Sequence, residues 1–101
     1  MNNVNGKRVL VTGACGTVGS ELVRVLLEDQ TYNPAELIGI DKNESELFFL
    51  DQRHLNDPRA KFFLADVRDA IELNRQFEGT DVVFHAAAYK HVVMCERTPL
   101  K

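Results

Sequence analysis

Nowhere in the 101 residues does an apolar run approach the ~18 that a membrane-spanning helix requires, so no span is expected. Basic charge is in the minority. Twelve Lys and Arg stand against 15 Asp and Glu, for a net charge of −3. Nucleic acid or an anionic membrane surface calls for a clustered basic patch, so neither partner is expected. Cysteine is scarce as well. Cys15 and Cys95 lie far apart, and neither has a second Cys two residues away, which excludes a zinc-type metal site and points to a reduced, cytoplasmic protein. The opening Met1-Asn2-Asn3-Val4-Asn5-Gly6 has no charged-then-apolar leader, so no export is expected. Internal repeats, low-complexity tracts and linkers are also missing. What remains is 45% hydrophobic and 27% charged, the balance of a globular chain, and long enough for one small domain but hardly two.

Apolar periodicity orders that domain. Lys7-Arg8-Val9-Leu10-Val11-Thr12, closed by Gly13, is apolar on both faces and reads as a buried parallel strand. From Thr17 the period becomes helical, with Val18, Leu22, Val25 and Leu26 recurring up to Asp29, before Tyr32-Asn33-Pro34 breaks the pattern. Glu36 to Asp41 is a second strand ending in a carboxylate. Asn43 followed by Glu46 has the spacing of a capping box and predicts a helix from about Ser45 to Leu55. Pro58 ends it, and Lys61 to Ala65 is a third strand. Asp69 with Glu72 predicts another cap, with Ile71, Leu73 and Phe77 behind it and Gly79 as the stop. Thr80 to Ala86 is the fourth strand, running into Ala87 and Ala88. Strands alternating with helices of about ten residues imply βαβ units and a parallel sheet. The expected fold is α/β, a partial Rossmann-like doubly wound sheet of about four strands in the order 3-2-1-4. An open edge on the fourth strand would leave backbone groups unpaired, so self-association into a homo-oligomer is expected.

Chemistry concentrates where the first strand meets the first helix. Gly13, Gly16 and Gly19 form G-x-x-G-x-x-G at that junction. Gly13 permits the sharp turn, Gly16 lets backbone approach a pyrophosphate, and Gly19 lets the helix pack close to the sheet. Free N–H groups and the positive end of the helix dipole then face the phosphates. The bland alternative is a structural turn, and the flanking strand and helix and the downstream acid speak against it. That acid is Asp41, 22 positions after Gly19 (41 − 19), close to the ~20 expected for the carboxylate that holds the adenosine ribose hydroxyls. A carboxylate there favours NAD, since a 2′-phosphate would meet like charge, although Lys42 beside it could pair with such a phosphate and keeps NADP possible. Asp66, with the N–H of Val67 after it, can contact adenine, though a post-strand Asp is also a common cap. Ala86, Ala87 and Ala88 are small enough for a flat cofactor to lie close. Lys90 can bridge a cofactor and a phosphorylated substrate through charge-assisted bonds, or simply be solvated. His85 is expected to pack beside the sheet without a catalytic role.

The segments Thr12-Gly13-Ala14-Cys15-Gly16-Thr17-Val18-Gly19, Asp66-Val67-Arg68-Asp69 and His85-Ala86-Ala87-Ala88-Tyr89-Lys90-His91-Val92 resemble the extended short-chain dehydrogenase/reductases. Within them the chain is most similar to the polysaccharide-biosynthesis branch, which includes UDP-N-acetylglucosamine 4,6-dehydratases and epimerases. The resemblance implies that Cys15, Gly16, Thr17 and Val18 line the pyrophosphate. It likewise implies that Asp41, Lys42, Asn43 and the residues to Glu46 follow the ribose, Asp66 and Val67 the adenine, and Ala86 the cofactor further along. Lys90 would touch both cofactor and sugar nucleotide, a UDP-sugar by the same resemblance. This chain departs from the branch at Val93, where proline is usual, at Thr98, where Asn is usual, and at Asp41-Lys42, where NADP-preferring members carry Ser-Arg.

Chemistry in that branch takes a hydride from the sugar and returns it, using a Tyr and a Lys four apart. No Tyr-x-x-x-Lys occurs in these 101 residues, and Tyr89 and Lys90 are adjacent, so they cannot share one helical face. Residues 1–101 are therefore expected to be the N-terminal part of an NAD(P)-binding domain, with no catalytic residue of their own. The alternative is a stand-alone adenine-nucleotide-binding or sensor module.

Overall fold

A computed structural model of the chain describes residues 4–66 and 78–86, and the backbone of 93–96. The predicted helix behind Asp69 and the candidate site residues Val67, Ala87, Ala88 and Lys90 lie outside the described residues, as does His91.

Seven elements follow in the order β1 (Arg8–Thr12), α1 (Thr17–Glu28), β2 (Glu36–Asp41), α2 (Glu44–Arg53), β3 (Ala60–Leu64), β4 (Val82–His85) and β5 (Val93–Glu96). The sheet runs β3-β2-β1-β4-β5. Its first four strands are all parallel, in the expected Rossmann-like order. The fifth was not expected. β5 pairs antiparallel with β4, from Val82 opposite Glu96 to His85 opposite Val93. β5 thus takes the place of β4 as an edge of the sheet, whose two edge strands are β3 and β5.

Because β1, β2 and β4 are central and covered on both faces, nearly every side chain on them is buried. Val9, Val11, Leu37, Val82 and Phe84 face one way, into a cluster with Val23, Leu26 and Leu27 of α1 and Leu50 of α2. Leu10, Ile38, Ile40 and Val83 face the other. Edge strand β3 is half open, with Phe63 and Leu64 exposed.

The buried stripe of α1 is Gly19, Val23, Leu26 and Leu27, rotated from the expected Val18, Leu22, Val25 and Leu26. Gly19 sets that rotation. A Cβ there would come within 2.0 Å of the Gly13 carbonyl oxygen, so this face of the helix is the one that can press against the β1 turn. Positions one and two turns further along the same face then become the core positions. α2 starts as its sequence predicts, with Asn43 Oδ1 accepting from Glu46 N at 3.1 Å.

At the end of α2, His54 is buried, tilted against the Phe62 ring 6.1 Å away, and its Nε2 has no hydrogen-bond partner among the described residues. Burial holds its pKa below the ordinary 6.5; the nearby Arg53 charge pushes the same way, and the Glu28 and Asp57 carboxylates oppose it. Below pH 6.5 the unfolded chain therefore takes up a proton that folded His54 resists, and stability drains as the pH falls from 6.5 towards the folded value. Melting temperatures between pH 7 and 5 should fall in the wild type and flatten in His54→Leu. Parallel slopes in the two proteins would exclude His54 as the cause.

Candidate functional site

At the C-terminal ends of β1, β2, β3 and β4 the chain brings together four of its predicted elements: the glycine loop, Asp41, Asp66 and Ala86. This is the crest where doubly wound sheets bind ligands. Gly13 turns out of β1 with φ of +70°, a conformation open to glycine at little cost. Ala14 is fully buried, and its N–H donates to the Ile40 carbonyl at 3.1 Å, tying the loop to β2. Directly beneath lies Gly39. A Cβ at that position would meet the Phe62 ring at 2.7 Å and the Ala14 Cβ at 3.0 Å. Gly39 therefore makes the room in which the loop settles on the sheet, a role the sequence reading missed. The signal was available: glycine inside a strand often marks a close approach of backbone.

The loop's own donors are mostly consumed within the chain. Cys15 N–H donates to Asp41 Oδ2 at 3.0 Å, and Gly16 N–H to the Gly13 carbonyl at 3.1 Å. Gly16 is the N-cap of α1 in extended conformation, and it offers no side-chain cap. Ser20 N–H reaches back to the Gly16 carbonyl. The N–H groups of Thr17, Val18 and Gly19, at the positive end of the helix dipole, are left with no intrahelical acceptor, the arrangement that suits an anion. Thr17 is exposed and Val18 half-buried, whereas Gly19 is buried. The first two are therefore the donors best placed to meet a phosphate.

Asp41 closes the other side. Its Oδ1 accepts from Asn43 N–H at 2.9 Å while Oδ2 holds Cys15, and its carbonyl accepts from Ala65 N–H. Lys42 is exposed, and Asn43 is occupied by its capping bond. The Cys15 thiol is pushed up to about 12 by burial and then by the charges of Asp41 and Glu46, so at neutral pH it is a protonated thiol and no nucleophile. Cys15, Ser20, Glu46, Phe49, Leu50 and Arg53 line a cleft of about 130 Å³ beside the loop. A larger one, about 330 Å³, lies by the C-terminal end of α1 among Leu27, Tyr32 and Arg59, away from the crest. On β4, His85 shares a hydrogen bond of 3.2 Å between Nδ1 and the buried Thr12 Oγ1, which fits packing beside the sheet. Ala86 is buried, with its N–H on the Thr12 carbonyl at 3.0 Å. Among the described residues no cluster of His, Cys, Asp and Glu has the arrangement of a metal site, and no helix is long and apolar enough to cross a membrane.

The family model of polysaccharide biosynthesis proteins matches residues 9–101. The chain belongs to that family. Its relatives include a Methanocaldococcus jannaschii protein described as an uncharacterized membrane protein, 44% identical over 99% of this chain and 29% of its own length. A UDP-N-acetylglucosamine 4,6-dehydratase (inverting) of Campylobacter jejuni is 36% identical over 96% of this chain and 28% of its own length. Among solved structures, Pen from Bacillus thuringiensis superimposes with a TM-score of 0.76 at 27% identity, covering 88% of this chain and 26% of that one. This family member thus spans under a third of the length of the curated relatives it matches. The relatives also include a protein of Rickettsia felis named UDP-glucose 4-epimerase, 31% identical over 94% of this chain and 28% of its own length.

Proposed function

We propose that this chain is the NAD-binding segment of a nucleotide-sugar 4,6-dehydratase or epimerase of surface polysaccharide biosynthesis. The observation that carries this reading is the pairing of an uncapped helix N-terminus, behind Gly13, Gly16 and Gly19, with a carboxylate at the end of the neighbouring strand. Thr17 and Val18 N–H groups hold the pyrophosphate. Asp41 faces the adenosine ribose, with Lys42 and Asn43 beside it. Asp66 and Val67 meet the adenine, and Ala86 to Ala88 leave space for the nicotinamide half. Asp41 and Glu46 together make the ribose end negative, which favours NAD over NADP with its 2′-phosphate; Lys42 opposes them. Bound NAD supplies a hydride acceptor and donor for the sugar. Lys90 orients a UDP-sugar against it. Proton transfer falls to groups outside these 101 residues, which contain no Tyr-x-x-x-Lys.

Gly16 offers a test that leaves the fold in place. Its Cβ would lie 3.5 Å from the Gly13 carbonyl oxygen, an ordinary contact, and its φ of −69° suits any residue. Gly16→Val should therefore melt near the wild type yet lose most NAD affinity in a calorimetric titration. Equal affinity in the two proteins would remove the loop from the site.

The isolated chain should bind NAD but form no 4-keto-6-deoxy product from UDP-N-acetylglucosamine, as followed by NMR. Product formation would relocate a catalytic base into these residues. Binding without turnover, from a gene that encodes no Tyr-x-x-x-Lys, would favour the stand-alone nucleotide-binding module.

A further inference from the structure

The Asp41 side chain joins two segments, beside the backbone bond from Ala14 N–H to the Ile40 carbonyl that already ties the glycine loop to β2. Its carboxylate accepts from Cys15 N–H of the glycine loop at 3.0 Å and from Asn43 N–H at the start of α2 at 2.9 Å. Cys15 and Asp41 are 26 residues apart, so this bond is tertiary rather than a local turn. A ribose at the end of β2 would therefore meet a carboxylate already bonded to the loop that receives the pyrophosphate.

We propose that Asp41 is a positioning residue for the phosphate loop, a strut that joins the ribose end of the site to the pyrophosphate end. This rests on the cofactor-binding reading and adds to it a role the side chain performs before any ligand arrives. One hydrogen bond to the charged acceptor fixes the backbone at Cys15 and, through it, the approach to Gly16 and the first turn of α1, while the other fixes Asn43 at the start of α2. The contact also removes Cys15 N–H from the set of phosphate donors, leaving Thr17 and Val18.

The sign of one effect separates the strut from simple electrostatics. A carboxylate near an anion site repels the anion, so removing it should strengthen phosphate binding. If the carboxylate instead holds the loop in its binding shape, removing it weakens even a ligand that has no ribose. The probe is inorganic pyrophosphate, titrated into the ligand-free chain and into Asp41→Asn and Asp41→Ala while the Thr17 and Val18 amides are followed by NMR. Amide hydrogen exchange at Cys15 and Asn43 is measured on the same samples without ligand.

In Asp41→Ala, exchange at Cys15 is expected to accelerate roughly tenfold or more, the size that goes with losing a hydrogen bond to a charged group. Exchange at Leu10 and Val11 in β1 should stay as in the wild type. Asp41→Asn should fall between, because its amide oxygen can still accept one of the two N–H groups. Pyrophosphate should bind both variants more weakly than wild type. Unchanged exchange at Cys15, or pyrophosphate bound equally or more tightly by the variants, would overturn the strut. Should Asp41→Ala unfold, Asp41→Asn decides: acceleration confined to Cys15 and Asn43 supports the proposal, and uniform acceleration overturns it. Failure of wild type to bind pyrophosphate or NAD would remove the cofactor reading, and the exchange data would still decide the contact.

Discussion

Gly19→Ala is expected to abolish nucleotide binding and to lower the melting temperature by roughly 12–24 °C, for a loss of about 3 kcal/mol at 4–8 °C per kcal/mol in a domain of this size. The new methyl carbon would sit 2.0 Å from the Gly13 carbonyl oxygen and 2.8 Å from its carbon. Both are backbone atoms, so no side chain can swing aside to make room. Either α1 lifts from the sheet, exposing Val23, Leu26 and Leu27, or the turn at Gly13 unwinds. Each outcome also moves the Thr17 and Val18 N–H groups away from where a phosphate would lie. Circular dichroism melts with a calorimetric NAD titration measure both effects. A variant that melts and binds as wild type would show that the helix does not need this contact.

Asp41→Ala should weaken NAD roughly 10- to 150-fold, the range that corresponds to ~1.5–3 kcal/mol for a hydrogen bond to a charged group. Two losses combine in this expectation: the proposed acceptor for the ribose hydroxyls and the observed bond that holds Cys15. NADP should weaken less, because loss of the negative charge relieves the 2′-phosphate while loss of the strut still loosens the loop. Replacing Asp41 alone is therefore a poor route to an NADP-preferring protein, and the charges of Lys42 and Glu46 are the better levers. Titrations of both cofactors into both proteins settle the matter. Wild-type protein that already prefers NADP would take Asp41 out of cofactor choice.

Glu46 illustrates how a residue with a local reading acquires a second one in three dimensions. In sequence it is the N3 position of a predicted cap, and the cap forms. In the folded chain it also lines the cleft with Cys15 and adds its charge to that of Asp41 at the thiol. Asn43 runs the other way. The resemblance offered it as a ribose contact, yet its side-chain oxygen is engaged in capping α2, which leaves its amide group as the part free for a ligand.

What the amino-acid order determined by itself is whatever depends on near neighbours. The two-sided apolar runs at Val9-Leu10-Val11 and Leu37-Ile38 specify central parallel strands, since only a strand covered on both faces buries every residue. Gly13 and the Asn43–Glu46 pair specify a turn and a cap through bonds within a few positions. Alternation of strand and helix then limits the strand order, because crossover connections have one preferred hand. Tertiary structure decided everything that joins distant positions. The rotation of α1, which buries Val23, Leu26 and Leu27, goes with the close approach of Gly19 to Gly13. Pairing of the four-residue β5 with β4 depends on backbone bonds across the sheet, for which so short a run carries no periodic signal. The contact of Asp41 with Cys15 N–H exists only because β1 and β2 lie side by side and end at the same crest, where a carboxylate placed for a ligand also reaches the loop.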